Sequence, residues 1–338
     1  MEVLAKYSKD ELENFVEKLG EKKFRAGQLF SWIYSKSAAD FDTMSDIKKD
    51  FREKLKDIAV ILDTKIKKKQ VSADGTIKYL IEFHDGCCAE TVLMRFDNRA
   101  NLSACVSCQV GCQMGCDFCA TAKRGFVRNL EPYEIISQIL TIQQDTGLKI
   151  TNVVFMGQGE PLNNYENVYK AIERINNDLS IGIRRITIST CGIAPKIKEL
   201  CNYELIPTLA ISLHCADSET RKQIMPVEKR YNLETLKDSL KYYCEKTGKR
   251  VTLEYILIGS LTDTKEMAQK LCEYIKDLKC NINLIPYNPI GTDKYKKPNK
   301  KDMMIFKYLL ESQGKKVTIR LERGADIDAA CGQLAGRV

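Results

Sequence analysis

From about residue 100 onward the sequence repeats one rhythm: a short apolar run that reads as a strand, then an amphipathic stretch of helical period. Strands are predicted at 102–107, 150–156, 184–190, 207–213, 250–258, 281–286 and 316–321. Helical stretches are predicted between them at 131–146, 164–177, 195–203, 232–246, 264–278 and 302–313. Consecutive parallel strands need a crossover connection, so alternating units of this kind build a parallel sheet. The fold class is therefore α/β, and six or seven units make a partial (β/α)6 barrel that works at the carboxyl ends of its strands. The informative residues fall at those ends: Gly157 to Pro161, Ser189-Thr190-Cys191, Ser212-Leu213-His214 and Asn288.

The first hundred residues read differently. Ser8-Lys9-Asp10-Glu11 is a capping-box start. Phe24, Leu29, Phe30, Trp32, Ile33 and Tyr34 then follow a helical period. Val71 to Leu80 and Ala89 to Met94 are strand-like, with turns at Ala73-Asp74-Gly75 and His84-Asp85-Gly86. Residues 1–97 are expected to form a small helical unit with a β-hairpin, and residues 98–338 the catalytic domain.

The chain carries 14 cysteines. It shows no apolar run of membrane-span length, and its start lacks the features of a secretory signal. A cytoplasmic location is expected, where thiols stay reduced and serve metal binding or thiol chemistry. Cys201, Cys244, Cys272 and Cys280 sit in ordinary helix or strand patterns and read as core residues. A net charge of +8 suits an anionic partner such as nucleic acid, although mild basicity is common.

The spacing Cys112-x3-Cys116-x2-Cys119 lies in the loop after the first barrel strand. Three thiolates so close can wrap one corner of an iron–sulfur cubane, whereas a fully protein-held cluster uses four. Three ligands leave one iron open, as catalytic zinc sites keep one position open. An open iron can chelate a small molecule through amine and carboxylate groups, and S-adenosylmethionine (SAM) offers both. Structural zinc is the alternative, although its usual paired knuckles or histidines are missing nearby. Cys105 and Cys108 are near enough that either can be a fourth ligand.

With these motifs the sequence resembles the RlmN/Cfr family of radical SAM RNA methyltransferases. The resemblance rests on Phe24 to Gln28 with Trp32-Ile33-Tyr34, and on Cys105 through Thr121 with Phe118 before the last cysteine. It continues in family order through Phe155 to Leu162, Ser189-Thr190, Ser212 to His214, Asn283 to Pro289 and Asp326 to Leu334. Glu160-Pro161-Leu162, and Arg323-Gly324 before Asp326, look like the RlmN branch, which acts at C2 of adenosine rather than C8. Cys108 stands where that branch commonly has serine, and Cys191 is likewise unusual.

The resemblance implies a [4Fe-4S] cluster on Cys112, Cys116 and Cys119 and two SAM molecules per turnover. C2 of adenine is electron-poor and cannot attack a methyl group as a nucleophile, so a one-electron route is needed, supplied by the cofactor. The family's solution makes Cys331 the methyl carrier and Cys105 the thiol that resolves a covalent RNA adduct. Glu90 aligns with the proposed proton acceptor. Gly159 and Glu160 would bind the SAM amino group. Ser189, Ser212, Leu213, His214 and Asn288 would meet the ribose and adenine. Implied substrates are 23S rRNA at adenosine 2503 and transfer RNA at adenosine 37, with flavodoxin or ferredoxin as electron donor and no membrane. The N-terminal unit would help bind RNA.

Without the resemblance, Cys331 can be a core cysteine, Glu90 an exposed strand carboxylate and His214 a core histidine. Lys123, Arg124 and Arg128 follow the cysteines, and Lys294, Lys296, Lys297, Lys300, Lys301, Lys315, Lys316, Arg320 and Arg323 enrich the C-terminal segment. They suit phosphate contacts or a solvated basic face equally. A buried target adenosine would have to be flipped into the barrel. The rivals are a C8 methyltransferase of the Cfr branch and a non-catalytic metal-containing RNA-binding protein.

Overall fold

The expected rhythm builds one sheet. The computed structural model describes residues 1–95 and 101–335. Its parallel strands run in chain order, Leu102–Cys105, Asn152–Phe155, Ile186–Thr190, Thr208–Ser212, Val251–Leu257, Cys280–Pro286 and Val317–Ile319. Each strand lies beside the next, so every connection is a crossover of the kind that brings all carboxyl ends to one side. The crossover helices include Pro132–Thr146, Tyr165–Asn177, Ala194–Glu199, Leu233–Thr247, Lys265–Ile275 and Lys300–Glu311. Their ends follow local chemistry. Glu131 and Glu134 form a capping box ahead of Pro132, while Gly147, in the left-handed region, stops that helix. Asn232, Thr264 and Asn299 cap three others by accepting a backbone N–H.

The sheet does not stop at its first parallel strand. Cys88–Arg95 pairs antiparallel with Leu102–Cys105, and Ile77–Glu82 and Lys65–Val71 extend it to ten strands. The hairpin grouped by sequence with the N-terminal unit is thus hydrogen-bonded into the barrel sheet. The expected boundary at 97/98 lies outside the described residues. The outermost strand, Lys65–Val71, was not predicted in full because its lysines give no apolar alternation. It is an exposed edge, and charge there discourages pairing with another sheet.

The helical N-terminal part packs on two crossover helices. Gln143 Nε2 donates to Ser37 Oγ and Gln144 Nε2 to the Ala38 carbonyl, at 2.9 and 2.7 Å. Arg174 donates to the carbonyls of Ala5 and Tyr7. Helix Pro132–Thr146 is therefore covered on both sides, which explains why even Glu134, Ser137 and Gln138 are buried. A large apolar core takes in residues from Leu4 to Val317, and a second, smaller cluster gathers Val92, Cys105 and Leu334.

Candidate active site

The three cysteines of the C-x3-C-x2-C motif line one cavity at the carboxyl ends of the strands. Their loop is fixed by backbone bonds from Cys112 N–H to the Gly125 carbonyl, from Asp117 N–H to that of Ile224 and from Cys119 N–H to that of Cys116. Asp117, between the last two cysteines, accepts from Lys123, Lys294 and Tyr295, tying this loop to the segment after strand Cys280–Pro286. Burial pushes the Cys112 thiol up to about 12 and the Cys116 thiol well above its ordinary value. Such sulfurs ionise readily only against a metal cation. Among the described residues no group of three His, Cys, Asp or Glu side chains closes on a single ion. Three thiolates on one cavity wall fit a cubane, in which each binds a different iron.

The remaining walls come from several strand ends. Gly159 has φ +105°, and a Cβ there would lie 2.7 Å from Gln109 Cβ and 2.9 Å from Cys108 Sγ, so only glycine fits. Glu160 is buried; its carboxylate accepts from the N–H groups of Leu162 and Cys191 at 3.1 and 2.8 Å, joining two loops. Ser189 Oγ and Ser212 Oγ stand 3.4 Å apart on the same wall. His214 Nδ1 accepts from the Ile256 N–H at 3.1 Å, so the neutral ring carries its proton on Nε2. Burial, and then the Arg221 charge, pull its pKa down to about 3, and its ring meets Phe118 edge to face. Leu213 is buried and lines neither this cavity nor the next; it serves through its backbone, accepting from Arg221 Nε.

A second cavity abuts the first. Cys105 lines it, and Cys331 lines both. Burial, and then the neighbouring Cys331, push the Cys105 thiol up to about 12. The chain carrying Cys331 crosses the mouth as a strap. At one end Asp326 accepts from Ser72 Oγ and Ala73 N–H, and Asp74 accepts from Gly324 N–H. At the other, the carbonyls of Gly332, Leu334 and Ala335 accept from Ala120 N–H, Thr121 Oγ and Arg124. The β-hairpin and the cysteine loop thus hold the strap between them. Asn288 lines the Cys105 cavity rather than the cluster cavity and donates to the Cys331 carbonyl at 3.4 Å.

Glu90 is buried on the strand face shared with Val92 and Met94. It pairs with Lys78 at 3.3 Å, and Lys78 also donates to the Asp328 carbonyl of the strap. Glu90 lines neither cavity. Of the two unusual thiols, Cys191 lines the cluster cavity, whereas Cys108 is buried against the Gln158 carbonyl. Cys244 and Cys280 are buried as expected, and Cys201 and Cys272 are half-buried.

Sequence reading missed two site residues. Glu254 is a buried carboxylate on the cluster-cavity wall, and a charge inside the apolar run Val251–Ile258 is the signal that marks it. Arg320, read as one of many basic surface residues, lines both cavities and donates to Met156 Sδ. Other members of the basic set are tied up internally. Arg128 grips Glu134 and Asp85, and Lys315 donates to backbone carbonyls.

Known proteins resemble the chain over nearly its whole length. Residues 3–61 match the family described as ribosomal RNA large subunit methyltransferase N-terminal domain, and residues 106–275 match the radical SAM superfamily. A protein of Clostridium novyi described as a probable dual-specificity RNA methyltransferase RlmN is 47% identical over 337 residues, 99% of this chain and 98% of its own. One of Clostridioides difficile with the same description is 45% identical, over 98% and 97%. The crystal structure of a radical SAM methyltransferase from Sphaerobacter thermophilus superimposes with a TM-score of 0.93 over the whole of both chains at 35% identity. The chain belongs to the RlmN family of radical SAM RNA methyltransferases.

Proposed function

We propose that the chain methylates C2 of adenosine, at position 2503 of 23S rRNA and at adenosine 37 of transfer RNA, through a methylated cysteine. The observation that carries this reading is the placement of Cys331 on the wall of both cavities, one with the cluster cysteines and one with Cys105. The dual specificity in the relatives' description supports two RNA substrates. When bound, the cluster on Cys112, Cys116 and Cys119 would supply the electron that opens radical chemistry from SAM.

The chain's own residues do the rest. Cys331 carries the methyl carbon and presents it to the base. Its neighbours Ala329, Ala330 and Gly332 are small, which lets the thiol change position within the strap. Cys105, in the adjoining apolar cavity, attacks the Cys331 sulfur, forms a disulfide and releases the methylated base. Glu90 beside the strap accepts the C2 proton once its pairing with Lys78 opens. Gly159 and Glu160 with Ser189, Ser212 and His214 hold SAM, two molecules per turnover. Asn288 steadies the strap at the Cys331 carbonyl. The helical N-terminal part serves as an RNA-binding accessory, and a flavodoxin- or ferredoxin-type donor supplies electrons.

Nucleoside mass spectrometry of ribosomal and transfer RNA from a deletion strain tests the reading. Both RNAs should lack 2-methyladenosine and regain it on complementation. Loss of 8-methyladenosine instead would assign the chain to C8 chemistry, and unchanged RNA would remove the methyltransferase reading.

A further inference from the structure

Glu254 sits in the middle of strand Val251–Leu257, 3% exposed, on the wall of the cluster cavity. Its Oε1 accepts from Asn283 Nδ2 at 3.0 Å. Its Oε2 is buried and has no hydrogen-bond partner among the described residues. Burial raises its carboxyl above the ordinary range, and the Arg320 charge and the Asn283 amide offset that only in part. A buried acceptor left without a donor is costly, so one held at a cavity wall calls for a donor from a ligand.

The register says which kind of donor. Glu254 pairs with Ser212 on one side and Asn283 on the other, and Ser212 Oγ lies 3.4 Å from Ser189 Oγ on the next strand. A polar row of two hydroxyls, a carboxylate and an amide therefore crosses four adjacent strands. Hydroxyls donate and accept, while an ionised carboxylate only accepts. Such a set matches a vicinal diol, as carboxylates do in other nucleotide sites. Glu160, assigned to the amino end of SAM, lies in a different loop, after strand Asn152–Phe155. Within an RNA chain the 3′ oxygen is esterified, so a free adenosyl ligand presents the complete diol.

We infer that Glu254 is a ribose-binding residue whose Oε2 accepts a hydrogen bond from the diol of the adenosyl ligand beside Ser189 and Ser212. The inference rests on the radical SAM reading of the cavity.

Calorimetry on anaerobically reconstituted protein, with S-adenosylhomocysteine and its 2′-deoxy and 3′-deoxy forms, tests it. Wild type should lose about 10- to 100-fold in affinity for one of the deoxy ligands, the scale of a hydrogen bond to a charged group. Glu254→Leu should lose as much for S-adenosylhomocysteine and show no further loss with that deoxy ligand. Glu254→Gln, which keeps an acceptor for Asn283, should show a reduced hydroxyl penalty. It decides the matter alone if the leucine variant does not fold. Wild-type affinity in the variants, or a full deoxy penalty that persists in them, overturns the inference. Failure of wild type to bind any of the three ligands would instead overturn the radical SAM reading.

Discussion

Replacing Arg221 with methionine would remove a charge that staples two strand ends to each other. The guanidinium is fully buried. It donates through Nη1 to Glu228 at 2.5 Å, through Nε to the Leu213 carbonyl at 2.9 Å and through Nη2 to the Cys191 carbonyl at 2.9 Å. Glu228 in turn accepts from Ser218 Oγ and the Leu233 N–H. Arg221→Met leaves a buried carboxylate without its cation and two carbonyls without a donor, a loss of about 3–5 kcal/mol. Unfolding entropy of about 2.1 cal/mol/K per residue over 338 residues gives about 0.7 kcal/mol/K. The melting temperature should therefore fall by about 4–7 °C, read by calorimetry on the protein without cluster. Adding Glu228→Gln removes the orphaned charge and should restore part of the loss, which a double-mutant cycle measures. SAM affinity should fall with stability, because Leu213 leads into His214 and Cys191 lines the cluster cavity. A single variant melting within 1 °C of wild type, or a double variant no better than the single, would refute the staple.

Gly159→Ala should cost about 2–5 kcal/mol in chemical denaturation, from positive-φ strain and from overlap with Gln109, and should abolish SAM binding; a wild-type denaturation midpoint would refute the close packing. Burial opposes the ionisation of Asp74, but N–H groups of Thr76 and Gly324 outweigh it and hold its pKa at about 2. A carboxyl lowered in the folded state contributes stability that is full above its ordinary value and fades as pH falls through the folded one. The protection factor of the Gly324 amide, its intrinsic exchange rate over the observed rate at the same pH, should thus be high at neutral pH and fall toward pH 2, and Asp74→Asn should lower it at neutral pH. SAM with a fully deuterated methyl should deliver a methyl that has exchanged one hydrogen, read by mass spectrometry of the nucleoside; intact transfer of three deuteriums would mean polar chemistry.

The barrel was legible because each crossover alternates with a buried strand, and two periodicities of side chains suffice to see that. Cys112, Cys116 and Cys119 were legible as a group because their spacing is local in sequence, and the fold sets them on one cavity wall. The hairpin's place in the sheet was not, since nothing in Cys88–Arg95 says which edge it joins and Lys65–Val71 hides its strand under lysines. Asn288 illustrates a second limit: sequence order put it at a strand end, but only the folded strap shows that it reaches the Cys331 carbonyl. Arg320 looked like its basic neighbours Lys315 and Lys316 because charge alone carries no direction, whereas its place just past strand Val317–Ile319 turns it into both cavities. Glu254 was the reverse case, a charge in an apolar strand whose signal was present and went unread.

The central claim is that Cys331 carries the carbon to RNA and Cys105 releases it. A disulfide between them requires Cα atoms within about 7 Å during turnover, and both thiols line the second cavity. Denaturing gels of protein purified from cells, probed for bound RNA, test the two roles at once. Cys105→Ala should carry covalently attached RNA, since only the last step is blocked. Cys331→Ala and the double variant should carry none, because no carbon is ever loaded. Cys105→Ala free of RNA, or Cys331→Ala carrying as much, would contradict the account.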